Sequence, residues 1–206
     1  WMFGVENGFD VVIGNPPYID SEMMVNCGQG QVREYICQNY TYTRGNWDIY
    51  IAFFEKAFNS ASDSGAICYI TPDKWLTKPF GEVLRSDRLK NLTILLKSGR
   101  DVFESVGVDS IVTLFTIDTE HFFFNDFINN EVILNSIIPK NIFTPPYQLD
   151  IVFSPFLNLL LKTGSKNPPL SDSDCLCDNA CATSDAYKLK EILIDADNKY
   201  DSIKHY

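Results

Sequence analysis

Histidine is scarce in this chain, two residues among 206, and neither one sits in a pattern that would do covalent chemistry. No Ser-His-Asp arrangement, no Cys-His dyad and no phosphate-cradling glycine loop is evident, so the usual signatures of nucleophilic hydrolases and P-loop enzymes are missing. No apolar run approaches the ~18 residues a membrane helix needs. The first residues, Trp1, Met2, Phe3 and Gly4, lack the basic-then-apolar order of a signal peptide. Positive charge is also short: 17 Lys and Arg face 27 Asp and Glu, for a net charge of −10 and a pI near 4.6. That balance argues against a basic surface that coats nucleic acid, although a local basic cleft is compatible with an acidic remainder. Six cysteines at irregular spacing fit reduced thiols and a cytoplasmic location better than a disulfide framework. The chain opens on Trp1, so a piece of something larger is expected.

What is present is a chain able to bury a real core. With 45% hydrophobic residues, one domain plus an extension is the expectation. The most informative stretch is residues 9–18. A short apolar run, residues 9–13, reads as a buried parallel strand stopped by Gly14, Asn15, Pro16 and Pro17. Two consecutive prolines donate no backbone hydrogen bond and hold φ near −65°, which fixes the directions of the Asn15 and Pro16 carbonyls. An amide, an immobilised acceptor and the Tyr18 ring then stand together at the carboxyl end of a strand, where open α/β sheets bind ligands.

Residues 19–46 read as a long loop with one short helix near 32–39, and long loops inside a compact domain are usually functional or mobile. Tyr35, Tyr40 and Tyr42 in it, and Trp47 just after it, either face a nucleotide or pack the loop down. Residues 48–61 turn helical, with Ile49, Phe53, Ala57 and Ala61 four apart, Ala52 and Phe54 broadening the apolar face, and Asp48 as N-cap or first-turn carboxylate. Strands are expected at residues 66–70, 92–96, 110–117 and 132–138, and a helix at 156–162. Residues 73–104 carry seven of the 17 basic residues, including Lys74, Lys78, Arg85 and Arg88, against five acids. These either contact phosphate or form an ordinary solvated face. His121, beside three phenylalanines, reads as a core or surface residue. Residues 163–174 have linker composition. Residues 172–206 carry eight acids against four lysines, with one helix expected over 185–194. Cys175, Cys177 and Cys181 lack the paired spacing and the fourth ligand of a zinc site, so no metal is expected.

Asn15-Pro16-Pro17-Tyr18, preceded by residues 9–14, resembles the catalytic motif of adenine-specific DNA methyltransferases. The likeness is greatest to the large type II restriction–modification methylases that join modification and restriction in one chain. Residues 48–76 follow that family's order without a gap: a helix entered by an acidic residue and a Tyr, then a Gly-led strand ending in Thr-Pro. The resemblance implies that the Asn15 side chain and Pro16 carbonyl accept hydrogen bonds from the target amine. It implies too that Tyr18 stacks on the flipped base, that Phe103 supplies a second ring, and that Asp48 and Tyr50 touch the cofactor. For Phe103 a core position at a hairpin corner is the alternative. The motif alone also occurs in methyltransferases acting on RNA and on protein glutamine. A duplex adenine cannot reach such a site without leaving the stack.

The same resemblance exposes what is missing. The family's cofactor half needs a Phe-x-Gly-x-Gly type loop after a strand and an acid on the next strand. Gly28-Gln29-Gly30 follows no strand, and no other segment offers the pattern. The expectation is therefore an α/β fold, the C-terminal half of a Rossmann-like methyltransferase sheet with parallel strands, a terminal antiparallel hairpin and packed helices. Residues 1–140 would form the target-base half. Residues 141–206 would form a linker and the start of a target-recognition region. The parent enzyme would use S-adenosylmethionine and double-stranded DNA with a flipped adenine. This chain would lack its N-terminal cofactor-binding half and be inactive alone; a catalytically inactive DNA-binding fragment is the alternative.

Overall fold

A computed structural model describes residues 7–99 and 109–164, all within a compact unit that spans Trp1–Ser165. Strands β1 (Phe9–Gly14), β2 (Ala61–Pro72), β3 (Leu92–Gly99), β4 (Ser110–Phe115), β5 (His121–Ile128) and β6 (Glu131–Pro139) form one mixed sheet in the order β1-β2-β4-β3-β5-β6. β1 lies parallel to β2 and β3 parallel to β5, whereas β4 runs antiparallel between β2 and β3. The expected α/β architecture is borne out, with β3 and β4 as its antiparallel hairpin. The parallel pair β1 and β2 needs a crossover, and α3 (Tyr50–Ser60) supplies it.

The register sets out two layers. One row of paired residues, Tyr69, Thr113, Leu95, Phe124 and Ser136, is buried strand after strand. The row beside it points to the opposite face: Ile13, Cys68, Leu114, Ile94, Phe123 and Ile137. Here Ile13 is 77% exposed, Phe123 41% and Ile137 51%, with the others half-buried. The buried face carries the core. Phe54 of α3 sits 5.2 Å from Tyr69, 5.4 Å from Trp75 and 5.8 Å from Phe115, ring centre to ring centre. Aromatic contacts of that geometry add to the area they bury.

Three expectations need correction. β1 is parallel, but Val11 and Ile13 are among its exposed residues, because its second edge pairs with nothing described and one face of the sheet is uncovered. On α3 the expected Ala52, Phe54 and Ala57 are buried, together with Ile51, whereas Phe53 is 40% exposed. The sheet takes up Phe54 and Ile51, which rotates the helix by about one residue from the Ile49-Phe53 spacing. The N-cap of α3 is Ile49 without side-chain capping, so Asp48 lies one residue outside it.

Short helices α1 (Ser21–Asn26) and α2 (Gly30–Asn39) occupy the polar segment after β1. Asp20 caps α1, its carboxylate accepting from the Met23 amide at 2.7 Å. α4 (Glu82–Arg88) and α5 (Leu157–Gly164) complete the helices. Phe143, Leu149, Val152 and Leu157 pack into the sheet's core, and the Leu149 amide donates to the Leu76 carbonyl, so the described body runs past position 140. The cysteine cluster and the expected helix at 185–194 lie outside the described residues.

Lys140, just after β6, gives a pH test of the packing. Its ammonium donates to the Lys90 carbonyl and, at 2.8 Å, to Thr119 Oγ1. Burial pulls its pKa down to about 8, against the opposing pull of Asp118. Between that value and the unfolded value of 10.5, the unfolded chain holds a proton that the folded chain has released. Stability should therefore rise as pH climbs through this window. Urea titrations at a series of alkaline pH values should show a steeper rise in wild type than in Lys140→Met; identical slopes would contradict the assignment.

Candidate active site

The segment that follows β1 leaves the sheet at its carboxyl end. Asn15 is exposed, and its side chain makes no hydrogen bond among the described residues; Pro16 is buried and Pro17 exposed. Neither the Asn15 nor the Pro16 carbonyl accepts a hydrogen bond from a described residue. The elbow thus presents two acceptors with no internal partner. Tyr18 anchors it from behind: its hydroxyl donates to the Ile70 carbonyl at 3.3 Å, and its ring meets that of Tyr50 edge-on, centres 6.4 Å apart. Burial raises the Tyr18 pKa, with a hydrogen bond to Ser110 opposing, so the phenol stays neutral at ordinary pH. Gly14 permits the close approach of the strand to its neighbour, since a Cβ there would stand 3.2 Å from the Tyr69 ring.

The elbow is stapled on its far side. The Ile49 amide donates to the Ile19 carbonyl at 2.8 Å, and the Ser21 amide donates to the Trp47 carbonyl at 2.9 Å. Asp20 and Asp48 form an isolated antiparallel bridge between the same segments. Residues 19–49 therefore leave and return at one point, carrying Met24, Ile36 and Trp47, which form a small core with Ala52 of α3. Glu55 on α3 ties down the return. Its buried carboxylate accepts from the Thr41 amide at 2.9 Å, the Thr41 hydroxyl at 3.1 Å and the Tyr42 amide at 2.8 Å. Tyr42 and Trp47 are buried and Tyr40 is half-buried, whereas Tyr35 is 62% exposed. Packing, rather than ligand contact, holds three of the four loop aromatics.

Behind Tyr18 lies a polar cluster at the ends of β2 and β4. Asp48 is buried, and burial raises its pKa, opposed by the neighbouring Tyr50 hydroxyl and by Lys74 and reinforced by Asp20. Tyr50 is wholly buried and its hydroxyl has no hydrogen bond of ordinary geometry; burial first and the Asp48 charge second push its pKa far up. Asp73, immediately after β2, is raised by burial and by Asp109, with Lys97 and Lys74 opposing. Tyr50 exposes no surface, so as a direct cofactor contact it does not fit; it buttresses Asp48 and Tyr18 instead. No glycine-rich loop follows a described strand, and no described cluster of His, Cys, Asp and Glu suits a metal ion. The residues present do not by themselves form a cradle for a nucleotide cofactor.

Of the four cations expected on phosphate, two are otherwise engaged. Arg85 is 1% exposed, donating to the carbonyls of Pro146 at 3.0 and 3.2 Å, of Lys78 at 2.9 Å and of Trp75. A buried guanidinium spent on backbone carbonyls cannot reach a phosphate. Arg88 lies 4.4 Å over the Phe58 ring, pairs with Asp87 at 3.1 Å and donates to the Tyr42 hydroxyl at 2.9 Å. Lys74 and Lys78 are exposed, and Lys74 stands close enough to Asp48 and Asp73 to shift both. Phe103 lies outside the described residues. Its flanks, Gly99 and Ser110, are paired at the rim where β2 ends.

Residues 1–98 match the family model described as Eco57I restriction-modification methylase. The Type II methyltransferase M.PaeR7I of Pseudomonas aeruginosa is 36% identical over 83 residues, which is 40% of this chain and 14% of that protein. M.XhoI of Xanthomonas vasicola is 31% identical over 85 residues, 41% of this chain and 15% of that protein. The aligned part thus spans about a seventh of the curated relatives' length. Among solved structures, the Type IIL restriction-modification enzyme MmeI in complex with DNA shares the fold, with a TM-score of 0.50 at 18% identity over 68% of this chain and 19% of that one. The resemblance read from Asn15 to Tyr18 and from residues 48–76 is borne out: over its first half the chain is similar to restriction–modification methylases. Among the described residues no helix is long and apolar enough to cross a membrane.

Proposed function

We propose that this chain is the target-base half of a DNA methyltransferase of restriction–modification, one that acts on the exocyclic amine of adenine. The observation that carries the reading is the elbow itself. Asn15 Oδ1 and the Pro16 carbonyl are acceptors without internal partners at the rim of a parallel strand pair, with Tyr18 fixed beside them. An adenine amine is a poor nucleophile because its lone pair is delocalised into the ring. Two preorganised acceptors that take its protons favour a tetrahedral nitrogen and free that lone pair for attack, without a strong base. A base so held must leave the duplex, and Tyr18, with Phe103 as the second ring, would stack on it. The electrophilic methyl would come from S-adenosylmethionine, held chiefly by residues outside this chain, with Asp48 as a contact from this one.

The cofactor-binding part is proposed to precede residue 1 in the longer protein and to dock on β1. A sheet with parallel pairs is normally covered on both faces, yet the row from Ile13 to Ile137 is exposed at Ile13, Phe123 and Ile137 and only half-buried on the three strands between. Right-handed crossovers that run outward from β1 to strands added beyond it would place their helices on that open face, opposite α3. The sheet would then change winding direction at β1, and the elbow would occupy its switch point.

Two measurements test this. The longer protein, incubated with DNA and S-adenosylmethionine, should yield N6-methyladenine on digestion; methyl groups found only on RNA or on glutamine would replace the DNA reading. Ile13→Lys, on an exposed side chain, should leave the melting of this chain within about 0.5 kcal/mol of wild type. It should also abolish co-elution with the separately expressed cofactor part, and unaltered co-elution would rule out docking on β1.

A further inference from the structure

Once Arg85 and Arg88 are set aside, Arg33 and Arg44 are the described arginines whose guanidinium donors are unspent, and Arg33 is the one that lines a cavity. The cavity, of about 520 Å³, is lined by Ser21, Glu22, Asn26, Arg33, Gly45 and Asn46 among others. It lies against the staple that closes the 19–49 excursion. Ser21 follows Tyr18 by three residues, a span of at most about 10 Å of chain, and Asn46 precedes Asp48 by two. One wall of the cavity is therefore continuous with the elbow.

Its polar groups are sorted in an uneven way. Ser21 Oγ donates to Asn46 Oδ1 at 2.6 Å, and Asn46 Nδ2 donates to Glu22 Oε1 at 2.9 Å. That chain fixes the Asn46 amide and occupies one oxygen of Glu22. Arg33 is half-buried, with its guanidinium carbon 6.0 Å from the centre of the buried Trp47 ring. Its guanidinium makes no hydrogen bond and no ion pair among the described residues, not even with Glu22 in the same cavity. Gly45, at φ +68°, leaves open space where a side chain would stand. A guanidinium held by an aromatic ring, with its fork of donors unspent, suits a partner with two coplanar acceptor oxygens.

We infer that this cavity takes a backbone phosphodiester of the DNA strand next to the flipped base, with Arg33 as its ligand. The inference rests on the reading of the elbow as a target-base site. A phosphodiester carries one negative charge and tolerates the Glu22 carboxylate nearby, whereas a phosphate dianion would be repelled by it. Such a contact carries no sequence information and serves to fix the register of the strand as the base swings into the elbow.

The test is fluorescence anisotropy of the 206-residue chain with a short DNA duplex that carries one unpaired adenine, at salt from about 0.05 to 0.2 M. Arg33→Ala should weaken binding about tenfold and flatten the log–log salt slope by about 0.9, the loss of one phosphate contact. Arg33→Lys should keep the slope while losing part of the affinity, since it retains the charge without the fork. Glu22→Gln should bind more tightly. Inorganic phosphate at millimolar concentration should not compete; effective competition would make the cavity a free-anion site and overturn the proposal. Wild-type affinity and slope in Arg33→Ala would overturn it while leaving the elbow reading intact. Failure of the wild-type chain to bind this duplex would remove both. Circular dichroism checks the fold of each variant, and should Arg33→Ala not fold, the Lys and Gln variants decide.

Discussion

Replacing Asn15 with Ala in the longer enzyme should lower methyl transfer by about 10²- to 10³-fold, the usual effect of deleting one preorganised electrostatic partner. The expected signature is specific. The lost hydrogen bond is made mainly as the amine nitrogen becomes tetrahedral, so kcat should fall with little change in KM. Stability should hardly move, because the Asn15 side chain is exposed and bonded to nothing described; a shift within about 0.5 kcal/mol is expected. Asn15→Asp keeps an acceptor at the same reach and should lose less than Ala does. The Tyr18 hydroxyl provides a contrast. It holds the elbow through Ile70, 52 residues away, so Tyr18→Phe should loosen the elbow yet keep a ring for stacking. Its loss should be smaller than that of Tyr18→Ala and should show in both kcat and KM. Near-wild-type methylation by Asn15→Ala, with its fold intact, would end the assignment.

Much of the fold was legible because apolar runs bounded by glycine and proline are strong local signals. β1, β2, β3, β4 and β6 each contain such a run, and the Thr71-Pro72 and Asn15-Pro16 stops mark where two of them end. β5 was not legible: Phe122, Phe123 and Phe124 do not alternate in polarity, and only the pairing with β3 decides that Phe122 and Phe124 turn inward. The first turn of β2, Ala61 to Gly65, has loop composition and becomes strand through register with Phe9. α1 is six residues long, too short for its run of Met23, Met24 and Val25 to show a helical period, with only the Asp20 cap to announce it. The elbow was legible because its chemistry is local. Its surroundings were not, since the staple joins residues nearly 30 positions apart and Glu55 is spent on the loop it faces.

The clearest failure of composition is Arg85, and it leads to the second large effect. In sequence it is one cation in a basic stretch; in the fold it is a buried clamp between the Trp75 and Lys78 carbonyls and the Pro146 carbonyl, 61 residues away. Burial lowers its pKa, with Glu82 and Asp150 opposing, yet an arginine stays charged. Three carbonyls thus share one desolvated cation, and removing it strands the buried ones. Arg85→Met should cost about 3 kcal/mol or more, which for a chain of this size lowers Tm by roughly 10 °C. Gly81 belongs to the same device: a Cβ there would stand 2.0 Å from the Trp75 carbonyl oxygen and 2.7 Å from Arg85 Nη1. Gly81→Ala should therefore destabilise through the same carbonyl, and the double variant should lose less than the two single losses added. Lys74→Ala and Lys78→Ala, on exposed side chains, should leave Tm near wild type and act only on the salt dependence of DNA binding. The outcome that would restore Arg85 to the DNA interface is a variant that melts like wild type and binds DNA with a flatter salt slope. The geometry gives no route to that result, because every hydrogen-bonding nitrogen of this guanidinium already faces the protein's own backbone.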